Sequence, residues 1–253
     1  MVPVRPALRP AARAARRARF RAWAARLDLE LRARGGRLVL EAAPGVRFAS
    51  PPHIEVLDGG EGDGVTTLRL GHEVNLGRDT IFELRAGGTN VLEAAAGTAF
   101  YRATRVQLRS GAIRLGRGVQ IRDFVNVKSL GELVMGDYAI LGHGTTVHAE
   151  ERVELETMVG LAEYVTVIDS DHDADGSEDT HFMARPLRVA PVHVQRNTFI
   201  AAHCTVLKGT RIGPGSVVGA GAVLTGGEYP GSSLIAGAPA RAIRPLGAEA
   251  VPS

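Results

Sequence analysis

Residues 194–224 read VQRNTF-IAAHCT-VLKGTR-IGPGSV-VGAGAV-L and divide into sixes. Val194, Ile200, Val206, Ile212, Val218 and Leu224 open successive hexapeptides. Four residues after the first five stand Thr198, Cys204, Thr210, Ser216 and Ala222, all small. A period of six fits neither a helix nor a two-residue strand alternation. It is the beat of a parallel β-helix, in which each hexapeptide makes one short face and three close a triangular coil. The aliphatic residue then points into the prism and the small one fits the corner. Cys204 falls on a corner position and reads as a small inward group rather than a nucleophile.

Outward from this stretch the beat continues. Leu115, Ile121 and Val127 form one coil, Met135, Leu141 and Val147 the next, and Leu155, Leu161 and Val167 a third. Leu70, Leu76 and Phe82 give an earlier coil, and the pattern blurs between Gly87 and Gly111. Val167 and Val194 lie 27 residues apart, so 21 residues leave the prism as an excursion over 169–191. The expected organisation is all-β. Residues 1–36 form a basic arm and helix, 37–69 an irregular lead-in, 70–228 the β-helix with its excursion, and 229–253 a C-terminal tail.

Composition agrees. Of 253 residues 45% are hydrophobic but only 5% aromatic, with 31 glycines, which suits a thin prism filled by Val, Ile and Leu. One cysteine excludes an intrachain disulfide and points to a reducing, cytoplasmic setting. No apolar run of about 18 residues is present to span a membrane. Met1–Arg34 carries ten arginines against Asp28 and Glu30, while the remainder holds 20 basic and 25 acidic residues. The basic character therefore belongs to the arm, and nucleic-acid binding by the body is not implied. Within the arm, Phe20, Trp23, Ala24, Leu27 and Leu31 share one helical face, and Gly35-Gly36 ends it. That face predicts a cap on the open prism; the rival reading is peripheral membrane contact with Phe20 and Trp23 inserted.

Leu115–Leu246 resembles the hexapeptide-repeat acyltransferases with a left-handed β-helix, in particular the galactoside/maltose O-acetyltransferase and xenobiotic acetyltransferase branch. The residues that carry the resemblance are Ser170-Asp-His172-Asp-Ala-Asp175-Gly176, Pro191-Val192 and the closing Ile235-Ala-Gly-Ala-Pro-Ala-Arg-Ala-Ile-Arg244. It implies acetyl transfer from acetyl-CoA to a hydroxyl of a sugar or glycan precursor, in a homotrimer. The matching histidine, His172, would be the general base, with Asp171, Asp173 or Asp175 orienting its ring. The matching donor positions are Ala202, Ala220, Thr225, Arg241 and Arg244. His143 and His148, with Asp173, would line the acceptor groove. Two departures stand out: Gly142 replaces an asparagine that touches the acceptor in the family, and Gly226 a basic residue that follows the Thr.

Two rivals share these residues. Asp171, Asp173, Asp175 and Asp179 fit the first half of a calcium loop, but Phe182 stands where the closing Glu belongs. His143 and His148 have the spacing of γ-class carbonic anhydrases, but Lys128 occupies the third ligand place, so no catalytic metal is expected. A non-catalytic β-helix module is the remaining alternative. No phosphate-binding loop, dinucleotide fingerprint or G-x-S-x-G elbow is present.

Overall fold

The computed structural model describes residues 10–58, 64–176 and 178–247. Among them, three sheets form the faces of one prism. The first face begins at Gly36–Ala42, the second at Arg47–Phe48 and the third at His53–Leu57. Each later coil adds one parallel strand to every face, which gives a parallel β-solenoid consistent with a left-handed β-helix. The inward residues are those the beat marks: Leu115, Ile121, Val127, Leu141, Val147, Ile200, Val206, Ile212, Val218 and Leu224 are all buried. Three such side chains per coil supply roughly 5–8 kcal/mol of gross burial energy. Thr198, Thr210 and Ser216 are buried at the corners and donate their hydroxyls to backbone carbonyls, so these polar groups are satisfied.

The solenoid reaches back into residues 37–69. Ala42, Phe48 and Ile54 align with Leu70, Leu76 and Phe82, six residues apart in both coils. Likewise Ala94, Phe100 and Val106 carry the beat through 87–111. Alanine and phenylalanine at inward positions hide it from a reading keyed to Val, Ile and Leu. Coil length hides it further. Leu70 aligns with Ala94, Ala94 with Leu115, Leu115 with Met135 and Val194 with Ile212, so the coils shorten from 24 residues to 21, 20 and finally 18. The extra residues lie at the edge where the third face turns into the first.

Helix α1 (Pro10–Arg32) begins ten residues before its apolar face does, because alanine and arginine are strong helix formers and proline suits a first helical position. It closes the open end of the prism. Trp23, Leu27 and Leu31 are buried, Phe20 lies 6.0 Å from the Phe48 ring, and Trp23 Nε1 donates to Pro52 O at 3.1 Å. Both aromatic residues are thus packed into the cap. No described helix is long and apolar enough to cross a membrane. At the other end Ala240–Pro245 folds back antiparallel on Ser233–Gly237 and covers the last coil of the second face.

The first face is neutralised by its own charges. Glu41, Arg69, Glu93, Arg114, Glu132, Arg152 and Glu154 pair in sequence along it. The second is apolar outside: Phe124, Tyr138, Met158, Tyr164 and Phe199 are exposed on it or along its edges.

Candidate functional site

The excursion leaves the prism where the third face meets the first. Ser129 and Ala149 stand in register there, facing inward. In the next coil the same column holds Asp169, fully buried. Its carboxylate accepts from the backbone N–H of Glu150 at 2.7 Å, Glu151 at 2.8 Å and Arg152 at 2.8 Å. These bonds tie the root of the excursion to the preceding coil. Beyond it, Ser170–His172 pairs antiparallel with Leu187–Val189, and Phe182–Ala184 forms a 3₁₀ turn. The hairpin is braced by Lys208 Nζ to Asp171 at 2.5 Å and by Arg188 Nε to Asp173 at 2.8 Å. The Arg188 hydrogen bond holds the Asp173 carboxyl below its usual range.

His172 is half-buried on this hairpin. Its Nδ1 lies 3.0 Å from the carbonyl oxygen of Arg185. A carbonyl can only accept, so Nδ1 carries the proton and Nε2 of the neutral ring has a bare lone pair. Phe182 packs edge-on against the imidazole, 5.6 Å between ring centres. The orienting group is therefore a backbone carbonyl, and none of the three expected aspartates fills that place. Successive side chains on a strand point to opposite sides, so Asp171 and Asp173 turn away from the ring, to Lys208 and Arg188. Asp175 is exposed past the strand end, where its N–H meets Asp173 Oδ1 at 3.3 Å.

The calcium reading loses its ligand set to the same pairing, since Asp171 and Asp173 face separate cations. Among the described residues no group of three His, Cys, Asp or Glu side chains is placed to hold a metal ion. His143 is exposed on the edge between the second and third faces, whereas His148 lies on the third face in register with Lys128. Burial and the neighbouring Lys128 charge push the His148 imidazole below its ordinary range.

The residues expected to hold the donor stand apart from His172. Ala202 and Ala220 occupy the second–third edge in consecutive coils, Gly221 N donating to Ala202 O at 3.0 Å. His143 is on that same edge. Beside Ala202, the rings of Tyr164 and His203 stack 5.3 Å apart and 10° from parallel, a pair no sequence motif announces. Thr225 is exposed on the third–first edge, one coil beyond Lys208. Arg241 and Arg244 are exposed on the terminal strand and pair with no acid among the described residues. Within one chain, His172 and the Ala202–Ala220 pair border opposite edges of the third face.

Residues 191–226 match the family model "Bacterial transferase hexapeptide (six repeats)". That stretch carries the hexapeptide repeat of the family model. It is 31% identical over 137 residues to "Probable acetyltransferase Rv3034c" of Mycobacterium tuberculosis, a match covering 52% of this chain and 44% of that protein. The chain thus spans less than half the length of this curated relative. Solved structures with similar coordinates include AntD, an N-acyltransferase from Bacillus cereus in complex with dTDP and 3-hydroxybutyryl-CoA, at TM-score 0.49 and 16% identity over 85% of this chain and 86% of that one. A maltose O-acetyltransferase from Clostridium difficile aligns at TM-score 0.39 and 18% identity over 71% and 70%.

Proposed function

We propose that the protein is an acyltransferase that moves the acetyl group of acetyl-CoA to a hydroxyl of a sugar or glycan precursor. The observation that carries this reading is the fixed tautomer of His172, with Nδ1–H held by Arg185 O and Nε2 free. Nε2 takes the proton of the acceptor hydroxyl as its oxygen attacks the thioester carbonyl. The tetrahedral oxyanion then collapses, the carbon–sulfur bond breaks, and the imidazolium returns its proton to the leaving thiolate. The products are the acetyl ester and free coenzyme A. Backbone N–H groups of the groove would meet the oxyanion. The small side chains of Ala202 and Ala220 leave room for the pantetheine arm, and Arg241 and Arg244 offer unspent cations to its phosphates. The 31% identity to an acetyltransferase-named relative supports the same class.

Base and donor groove lie on opposite edges of the third face, so one chain does not complete the site. A homotrimer, in which His172 of each copy borders the Ala202–Ala220 edge of the next, would do so, and three identical head-to-tail contacts close a ring. The apolar outer side of the second face supports that association. A cytoplasmic location suits the single buried cysteine.

The test is release of free thiol from acetyl-CoA over a panel of sugars, with wild type against His172→Ala. Loss of a positioned base is expected to lower the rate about 10²–10⁴-fold. Equal rates in the two proteins would remove His172 from the mechanism.

A further inference from the structure

The third face carries an outward row that acetyl transfer does not use. Glu55, Glu83, Gln107, Lys128, His148 and Ile168 stand in register along it. The early part is satisfied internally. Buried Glu83 accepts from Arg109 Nε at 2.9 Å and from Arg105 Nε at 3.1 Å, and Arg105 also pairs with Glu55.

The later part is not. Lys128 is half-buried and makes no ion pair among the described residues. Burial and then the Arg109 charge hold its ammonium below its ordinary range, with Arg85 adding to the effect against the pull of Glu150 and Glu83. Arg85 likewise pairs with no acid among the described residues, and its Nε is out of solvent with no acceptor among them. His148 Nε2 is in the same condition, 3.4 Å from Glu150 Oε2 without a formed hydrogen bond. Desolvated donors are costly unless something accepts from them. Arg85 and Lys128 both stand on the outward side of the third face, and the Arg85 charge reaches the Lys128 ammonium; two such cations on one half-buried surface are matched by a small oxyanion.

We propose that Lys128 and Arg85 form a site for an oxyanion, a phosphate or carboxylate, carried by the acceptor. The acceptor part of this inference rests on the acyl-transfer reading. Lys128 lies two coils before Ile168, roughly 10 Å along the axis, and Ile168 leads through Asp169 to His172. An acceptor with its anionic group at Lys128 and its reacting hydroxyl at His172 must therefore be longer than a single neutral sugar.

Titration calorimetry with inorganic phosphate on the full chain tests the site. Lys128→Gln and Arg85→Gln are each expected to weaken phosphate binding tenfold or more. Lys128→Arg should retain it, as should Arg37→Gln on the exposed first face. A kinetic arm uses trehalose, trehalose 6-phosphate and lactobionate as acceptors, disaccharides long enough to span the two sites, the last two separating phosphate from carboxylate. Lys128→Gln should raise KM tenfold for the anionic acceptor that is used, leaving kcat and the neutral acceptor unchanged. Phosphate that binds Lys128→Gln as well as wild type, or that does not bind wild type, overturns the proposal. Lysine-dependent phosphate binding without thiol release from any acceptor would keep the site and discard acyl transfer. Thiol release to trehalose without phosphate binding would do the reverse.

Discussion

Replacing Asp169 by alanine should loosen the hairpin that carries His172 without unfolding the prism. The carboxylate accepts three backbone hydrogen bonds of 2.7–2.8 Å from Glu150, Glu151 and Arg152. Bonds to a charged acceptor contribute about 1.5–3 kcal/mol each, and a buried donor left unpaired costs about 1–3 kcal/mol. Glu151 is exposed and Glu150 and Arg152 half-buried, so water replaces part of the loss. A total of about 3–5 kcal/mol follows, toward the lower end of the simple sum. Because the bonds join one corner to the hairpin root, local opening should precede global unfolding. Amide exchange should accelerate at residues 150–152 and 170–172, while Val206 and Val218 keep their protection. Thiol release should fall in kcat, because the base loses its position, with little change in the KM for acetyl-CoA. Asp169→Asn, which keeps one acceptor oxygen, should lie between. An alanine variant with wild-type urea midpoint, wild-type exchange at 150–152 and wild-type kcat would refute the reasoning.

The cap should matter as much as any coil. Trp23→Ala removes a buried ring and leaves Pro52 O unpaired, and a loss of about 3–5 kcal/mol is expected in urea unfolding; a change under about 1 kcal/mol would mean that α1 does not seal the prism. Burial tends to raise the Glu83 carboxyl, but hydrogen bonds from Arg109 and Arg105 outweigh it and leave the group lowered. A lowered acid stabilises the fold above its unfolded pKa, and that contribution disappears as pH falls through the folded value. Stability should therefore drop below about pH 4.5, and Glu83→Gln should flatten this limb, as pH-dependent urea titration can show. His148, lowered by burial and Lys128 although Glu150 and Asp169 pull upward, is harder to protonate in the fold than in the unfolded chain. Protonation then favours the unfolded chain, so stability should decline as pH falls below about 6.5, and His148→Gln should blunt that decline.

Much of the prism was legible because one rule, an aliphatic every sixth residue, writes itself into the chain wherever coils approach 18 residues. It faded where inward positions took Ala42, Ala94, Phe48 or Phe100, and where the long third–first corner stretched the coil. His172 was legible as a candidate through its loop, but the group beside its Nδ1 was not. A backbone carbonyl such as Arg185 O has no side-chain signature, so the sequence pointed to the nearby aspartates, which strand alternation turns away. The Tyr164–His203 stack was hidden for a related reason. Tyr164 and His203 take φ of 55° and 59°, corner geometry that glycine usually supplies, as at Gly144 in the same column. Asp169, by contrast, left a readable trace, because a charged residue follows Ser129 and Ala149 at twenty-residue intervals in a column of small inward groups.

The place of the excursion follows from the corner that launches it. In the coils before it, the turn from third to first face takes eight residues, from Val127 to Met135 and from Val147 to Leu155, against six in the later turn from Val206 to Ile212. The hairpin leaves from the last of these wide corners. Val192 then pairs with Val153, and Val194 with Leu155, as though nothing had been inserted. No rung of the first face is lost, so the insertion costs the prism little beyond the ordering of the loop itself. What it requires is an acceptor for the corner N–H groups that the displaced chain leaves behind, and Asp169 meets three of them. The carboxylate that lets the chain leave the repeat is thus the same group that fixes the root of the strand bearing His172.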